Sequence, residues 1–179
     1  IVVYRSPILW IIPLLSALFA LSTAGGIVYL LAKRNIIDVD GQSQGILSVL
    51  VIGAATDYAL LLIARYREEL HHHESRFDAM RTAYKGVWEP IVASGSTVSI
   101  SLLVLLFSQL TNTAGLGPIG AIGIVCSMIT ILTLLPALLL VFGRWIFWPR
   151  VPHNDGDDHV MTGVWSKVAN AIGRNPRRA

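Results

Sequence analysis

The sequence predicts an all-α membrane protein, a polytopic bundle of transmembrane helices. Three observations carry this. Hydrophobic residues make up 54% of the 179 positions and charged residues only 14%, whereas a soluble domain carries about 25% charged residues. The chain holds charge-free runs at 6–32 and 90–143, and a run at 41–64 whose single charge is Asp57. A spanning helix needs about 20 apolar residues, so the first and third runs hold one span each and the longest holds two. The short alternating segments of a membrane barrel are absent from the sequence. A chain this poor in charge cannot cover a water-facing surface. That excludes an ordinary soluble enzyme, a disordered tail and a nucleic-acid-binding domain, although the net charge is +3.

The elements follow in order. Residues 1–4 are apolar and run into Arg5, as the last turn of a preceding span would. The chain lacks an initiating methionine and a secretory leader, and its sequence reads as an internal segment of a longer protein. Span A covers 6–32 and span B 41–64. Between B and C, Tyr66, Leu70, His73, Phe77, Met80 and Tyr84 recur at intervals of four and three. That spacing predicts one amphipathic helix over 65–86, lying in the membrane interface or packed on another element. Span C covers about 90–109. The stretch 108–118, rich in Asn, Gly and Thr and closed by Pro118, breaks the long apolar run, and span D covers about 117–142. Residues 1–149 thus form the helix bundle. Residues 150–179 form a polar linker and a short amphipathic helix around Trp165, Val168 and Ile172, leading to a further span.

Alternating spans put Arg5, the 65–86 segment and everything after Arg144 on one side. The other side receives only Lys33 and Arg34. The excess of basic residues assigns the first side to the cytoplasm. Trp145 and Trp148 fall where an interfacial aromatic belt sits.

Asp57 is the sharpest chemical feature. It lies eight residues before Arg65, roughly 12 Å inside the cytoplasmic edge at ~1.5 Å per residue. Ionisable residues at such depth face a bundle interior or a water path and mark proton or ion pathways. A structural Asp bonded to a neighbouring helix is the bland alternative. Tyr58 follows directly and can donate a hydrogen bond to a carboxylate on another helix; packing is its plain role. Gly53, with Ala54, allows a neighbouring helix to approach one turn before Asp57. On span C, Ser94, Thr97, Ser101 and Ser108 share one face and could hydrate a carboxylate. On span D, Gly120, Gly123, Ser127 and Thr130 form a stripe suited to close packing. Cys126, the single cysteine, is a small buried residue in this reading, and Pro136 a kink.

His71-His72-His73-Glu74 invites a metal reading. Consecutive helical side chains diverge by about 100°, so the three histidines cannot converge, and no third ligand is in view. Asp155, Asp157 and Asp158 lack the spacing of a calcium loop. No metal or cofactor is expected.

The ordered set Tyr4-Arg-Ser-Pro7, Gly53-Ala-Ala-Thr-Asp-Tyr58, Ala64-Arg-Tyr-Arg-Glu68, Gly115-Leu-Gly-Pro-Ile-Gly120 and Leu134-Leu-Pro-Ala137 resembles the MMPL family (mycobacterial membrane protein large) of the resistance–nodulation–division transporters. The resemblance covers nearly the whole chain. It implies that spans A to D are helices 3 to 6 of the first of two six-helix halves, and that a second half and large extracytoplasmic domains lie outside this segment. It implies a transporter and not an enzyme, in a bacterial inner membrane, moving lipids or other hydrophobic molecules outward on the proton gradient. Membrane lipids, protons and that cargo would be its partners, and nucleic acid would not. It implies that Asp57 and Tyr58 are half of a proton relay; the residues themselves add the expectation that Tyr58 bonds a carboxylate on the absent helix and that Gly53, Ser94, Thr97 and Ser101 support the site. The alternative on the same fold unit is a module similar to a sterol-sensing domain, binding lipid or regulating without proton coupling. Asp57 beside Tyr58 favours the transporter.

Overall fold

In the computed structural model the described residues are 8–37, 39–107 and 111–142. Helix α1 spans Ile8–Lys33 and buries Ile12, Ser16, Ala20, Ala24 and Val28, one residue in every four, while Leu14, Leu18, Phe19, Tyr29 and Leu30 point outward. Small residues inside and large apolar ones outside invert the water-soluble pattern. In a membrane, lipid accepts the large side chains and tight helix packing wants the small ones.

The chain turns at 34–37, where Asn35 takes a left-handed conformation with φ 54°, which Asn tolerates better than most residues. Helix α2 then spans Gly41–His72. Asp40 caps it: its Oδ1 accepts from the Ser43 backbone N–H at 2.7 Å. Hydrogen bonding from the Ser43 side chain, and then from its backbone N–H, holds the Asp40 carboxyl below its ordinary value of 3.8. The buried row of α2 is Ser43, Leu47, Val51, Ala55, Ala59, Leu62, Tyr66 and Leu70.

Helix α3 spans Arg76–Leu103 and continues as a short 3-10 helix, Val104–Phe107. Its buried row, Met80, Ala83, Val87, Ile91, Gly95 and Ser99, again steps mostly by four. Helix α4 spans Thr111–Phe142 with Pro118 and Pro136 inside it. It is the central helix, packed against α1, α2 and α3. The four helices run alternately up and down, and each is long and apolar enough to cross a membrane. Among the described residues there is no strand.

Two core clusters divide the bundle lengthwise. One joins Ile12 and Ala17 to Tyr58, Leu62, Tyr66, Met80, Val87, Ile91, Ile131 and Leu135. The other joins Ala20, Ala24 and Val28 to Leu47, Val51, Ile119 and Cys126. The α2–α4 seam in the second is close. A Cβ on Gly123 would stand 2.6 Å from Leu47 Cδ1 and 2.7 Å from Val51 Cγ2. One step further, the buried Ser127 hydroxyl donates to its own helix at Gly123 O, 2.9 Å away, with Val51 O across the seam at 3.3 Å. The small-residue stripe of α4 thus serves close packing.

Two expectations are corrected. The separate interfacial helix over 65–86 does not exist. Its residues are the end of α2 and the start of α3, joined by a break at 73–75. Helix α2 stays helical past the apolar run because Tyr66, Glu69 and Leu70 bury against the first turns of α3. The stripe read as one face is therefore two faces meeting: Tyr66, Leu70 and Met80 are buried, while Phe77 is 60% exposed. The break between spans C and D also falls earlier than expected, at the 3-10 segment before Thr111, so Pro118 sits inside α4. The expected linker and short helix at 150–179, Trp145, Trp148 and Ser108 lie outside the described residues.

Candidate functional site

Helix α2 has a second row opposite its buried one. Gly45, Val49, Gly53, Asp57 and Leu61 step by four and are all exposed. Val49 is 76% exposed, and nothing lies within 4 Å of a Cβ built on Gly45 or Gly53. The stripe is apolar or glycine except at Asp57, whose carboxylate has no hydrogen-bond or ion-pair partner among the described residues. A carboxylate at membrane depth is stable only where water or a polar partner reaches it. The glycine one turn away leaves room for a helix backbone to come close to the carboxylate.

Tyr58 diverges from its neighbour. It is buried among α2, α3 and α4, and its hydroxyl lies 3.3 Å from where a Cβ on Gly95 would stand. Gly95 makes the space this ring occupies. The structure thus sets Asp57 on the open face and Tyr58 at the α2–α3 seam. The hydroxyls of α3 at Ser94, Thr97 and Ser101 are exposed. Thr97 Oγ1 donates to Ala93 O at 2.8 Å and Ser101 Oγ to Thr97 O at 2.8 Å. These are bonds within the helix, and no hydrogen bond joins either hydroxyl to Asp57.

At the far end of α2 lies a polar cluster that sequence reading did not single out. Glu69 is 6% exposed. Arg65 Nη2 donates to its Oε1 at 2.8 Å, and Arg65 Nη1 to Glu68 Oε2 at 2.7 Å. His73 Nδ1 stands 3.5 Å from Glu69 Oε2. The signal was present as the i, i+4 spacing of Arg65, Glu69 and His73. Among the described residues, no group of three or more His, Cys, Asp or Glu side chains forms a metal-binding cluster.

A bundle of four helices long and apolar enough to cross a membrane, with an unpartnered carboxylate on an open, glycine-lined face, is that of a polytopic membrane protein. The chain is a member of the MMPL family: the family's profile matches residues 1–179. It is 54% identical to the membrane protein SCO0839 of Streptomyces coelicolor over 99% of this chain and 25% of that protein. It is 40% identical to a Bacillus anthracis protein named as an apo-petrobactin exporter, over 94% of this chain and 23% of that one. It is 35% identical to MmpL12 of Mycobacterium tuberculosis, named as a transport protein, over 82% of this chain and 13% of that one. The chain spans about a quarter of the length of the first two of these relatives.

Proposed function

We propose that this chain is the proton-coupling part of the first membrane half of a proton-driven exporter. Asp57 takes up and releases the driving proton. The observation that carries this reading is the lone carboxylate on the open α2 stripe beside Gly53. A second membrane half covers that stripe and brings its own polar groups to Asp57. Protonation removes the charge that makes Asp57 costly in an apolar bundle, so the two protonation states favour different packings across the stripe. A ligand that binds one of two states shifts their populations, and here the proton is that ligand. One charge crossing the full potential yields about 2.3 kcal/mol per 100 mV.

Tyr58 is the relay's second member, acting from the α2–α3 seam behind the carboxylate. Gly53 sets the approach of the covering helix, and Ser94, Thr97 and Ser101 offer hydroxyls to water that enters from the α3 side. The cargo is lipid or another hydrophobic molecule moved outward across the bacterial inner membrane, with the 73–75 turn and the 144–179 tail in the cytoplasm. A relative named as an exporter supports the outward direction.

The test is export by the full-length protein in cells, with its amount checked by blot. Asp57→Asn mimics a permanently protonated group in charge and nearly in volume. It abolishes export at normal protein levels, and Tyr58→Phe reduces export less. Full export by Asp57→Asn ends the relay reading and leaves Asp57 a structural group; absence of export by the wild type as well would favour a lipid-binding or regulatory module without proton coupling.

A further inference from the structure

We infer that the start of α3, with the end of α4, forms a binding site for the headgroup of an anionic phospholipid of the inner leaflet. The inference rests on the topology proposed above, which puts the 73–75 turn in the cytoplasm. An open groove of about 480 Å³ is lined by Phe77, Met80, Arg81, Tyr84, Lys85, Trp88 and Leu140. That volume is in the ~300–1,000 Å³ range of small-molecule sites.

The lining is of two kinds, the cations Arg81 and Lys85 and the apolar or aromatic side chains around them. Arg81 and Lys85 are one turn apart on one face of α3 and are exposed. Neither has a carboxylate within ion-pair distance among the described residues. The acidic residues of the same helix end, Asp78 and Glu89, are not in the lining. Arg76 adds a third cation at the groove's outer end, 5.2 Å over the Phe77 ring. Trp88 and Leu140 lie on the membrane side, next to the charge-free run that begins at 90. Lys85 is five residues below that run, roughly 7.5 Å along the helix, which is headgroup depth. Indole and phenol rings settle at that level with one end apolar and one wet.

Basic pockets between membrane helices on the cytoplasmic side bind anionic headgroups. Here the charge selects the occupant. A phosphate accepts from the Arg81 guanidinium and the Lys85 ammonium while an acyl chain runs along Trp88 and Leu140. A zwitterionic lipid would bring its own cation toward the two already there.

The experiment is native mass spectrometry of the purified full-length protein in detergent, titrated with phosphatidylglycerol or phosphatidylcholine. Wild type retains one tightly held phosphatidylglycerol that Arg81→Gln with Lys85→Gln weakens about thirtyfold, the attraction expected of two basic side chains. Trp88→Ala weakens it severalfold. Phosphatidylcholine binding is the same in wild type and the double variant, and millimolar inorganic phosphate does not compete. Unchanged phosphatidylglycerol binding in the double variant overturns the site. An equal loss of phosphatidylcholine makes it a general acyl-chain groove, and competition by phosphate makes it a free-anion site. Either result overturns the proposal, as does tighter lipid binding when Asp155, Asp157 and Asp158 are changed to Asn, which would make the acidic tail the occupant. Asp57→Asn leaves lipid binding unchanged, so failure of the proton relay and failure of this site read out separately. Labelling of a cysteine at Ser75 from outside the cell would overturn the inner-leaflet assignment alone.

Discussion

Arg65 and Glu69 are joined one turn apart on α2, Nη2 to Oε1 at 2.8 Å, with the carboxylate 7% exposed and the guanidinium side chain 40% exposed. The same guanidinium uses its other terminal nitrogen on Glu68. One planar fork thus serves two carboxylates where α2 leaves its apolar run and packs on α3. Arg65→Lys keeps the charge but offers a point donor in place of the fork. It should lower the unfolding temperature in detergent, and Glu69→Ala should lower it further. We expect about 1–2 kcal/mol for Glu69→Ala, below the ~3–5 kcal/mol of a fully buried pair because Arg65 is partly solvated. Thermal unfolding of the full-length variants checks both, and an unchanged midpoint for Glu69→Ala would mean that the pair contributes nothing.

The two glycines at 53 and 123 should behave oppositely. Gly123→Ala drives a methyl into Leu47 and Val51 at 2.6 and 2.7 Å. Overpacking of this kind costs about 1–3 kcal/mol, so the variant should be less stable. A Cβ on Gly53 meets nothing within 4 Å, so Gly53→Leu should leave this bundle's stability near wild type while blocking export. Paired melting and transport assays separate the effects. A destabilised, transport-competent Gly53→Leu would refute the open-face reading.

Asp40 gives a pH signature. Its carboxyl is held below 3.8 by accepting from Ser43, so the ionised form is favoured in the folded state. The cap's contribution is therefore present above about pH 4 and is lost as pH falls through the lowered folded value. Asp40→Ala should reduce the unfolding temperature at pH 7 and flatten its fall below pH 4. Asp40→Asn should keep most of the cap, since a side-chain amide oxygen accepts the same bond. Melting curves from pH 3 to 7 test the sign.

Topology is tested with cysteines placed singly at Asn35 and Ser75 after Cys126, which is buried, is replaced by Ala. Both positions are exposed and lie at opposite ends of α2. A membrane-impermeant maleimide added to intact cells should label position 35 and spare position 75. Labelling of both from outside would defeat the four-span arrangement.

Much of the architecture was readable because lipid imposes a simple rule. Runs free of charge must cross, and the run at 6–32 gave α1 to within a few residues, while α2 continues eight residues past its run and α4 begins six residues before the expected span. The 65–86 segment was misread because periodicity is blind to a chain reversal. Tyr66, Leu70 and Met80 keep the same phase across the 73–75 break, since two helices packed face to face each show the period of one. Asp57 stood out in sequence because a lone charge in an apolar run is rare. The burial of Tyr58 did not, because its direction depends on Gly95, a residue 37 positions away that only packing brings near. Arg65 and Glu69 were passed over for a similar reason. Surface charges and a half-buried pair look alike until the opposing helix is known.

The lone carboxylate also bears on how α2 enters the bilayer during synthesis. An Asp at the centre of a span costs about 2.5–3.5 kcal/mol at the translocon. The ten Leu, Ile and Val residues between positions 41 and 64 return roughly 3–6 kcal/mol at ~0.3–0.6 each. Two Gln, two Ser and a Thr in the same stretch draw that balance toward even. Helix α2 therefore commits to the membrane by a narrow margin on its own composition. It is retained by what is made after it, and α4, which locks against it through Gly123 and Ser127, is the last of these four helices to leave the ribosome.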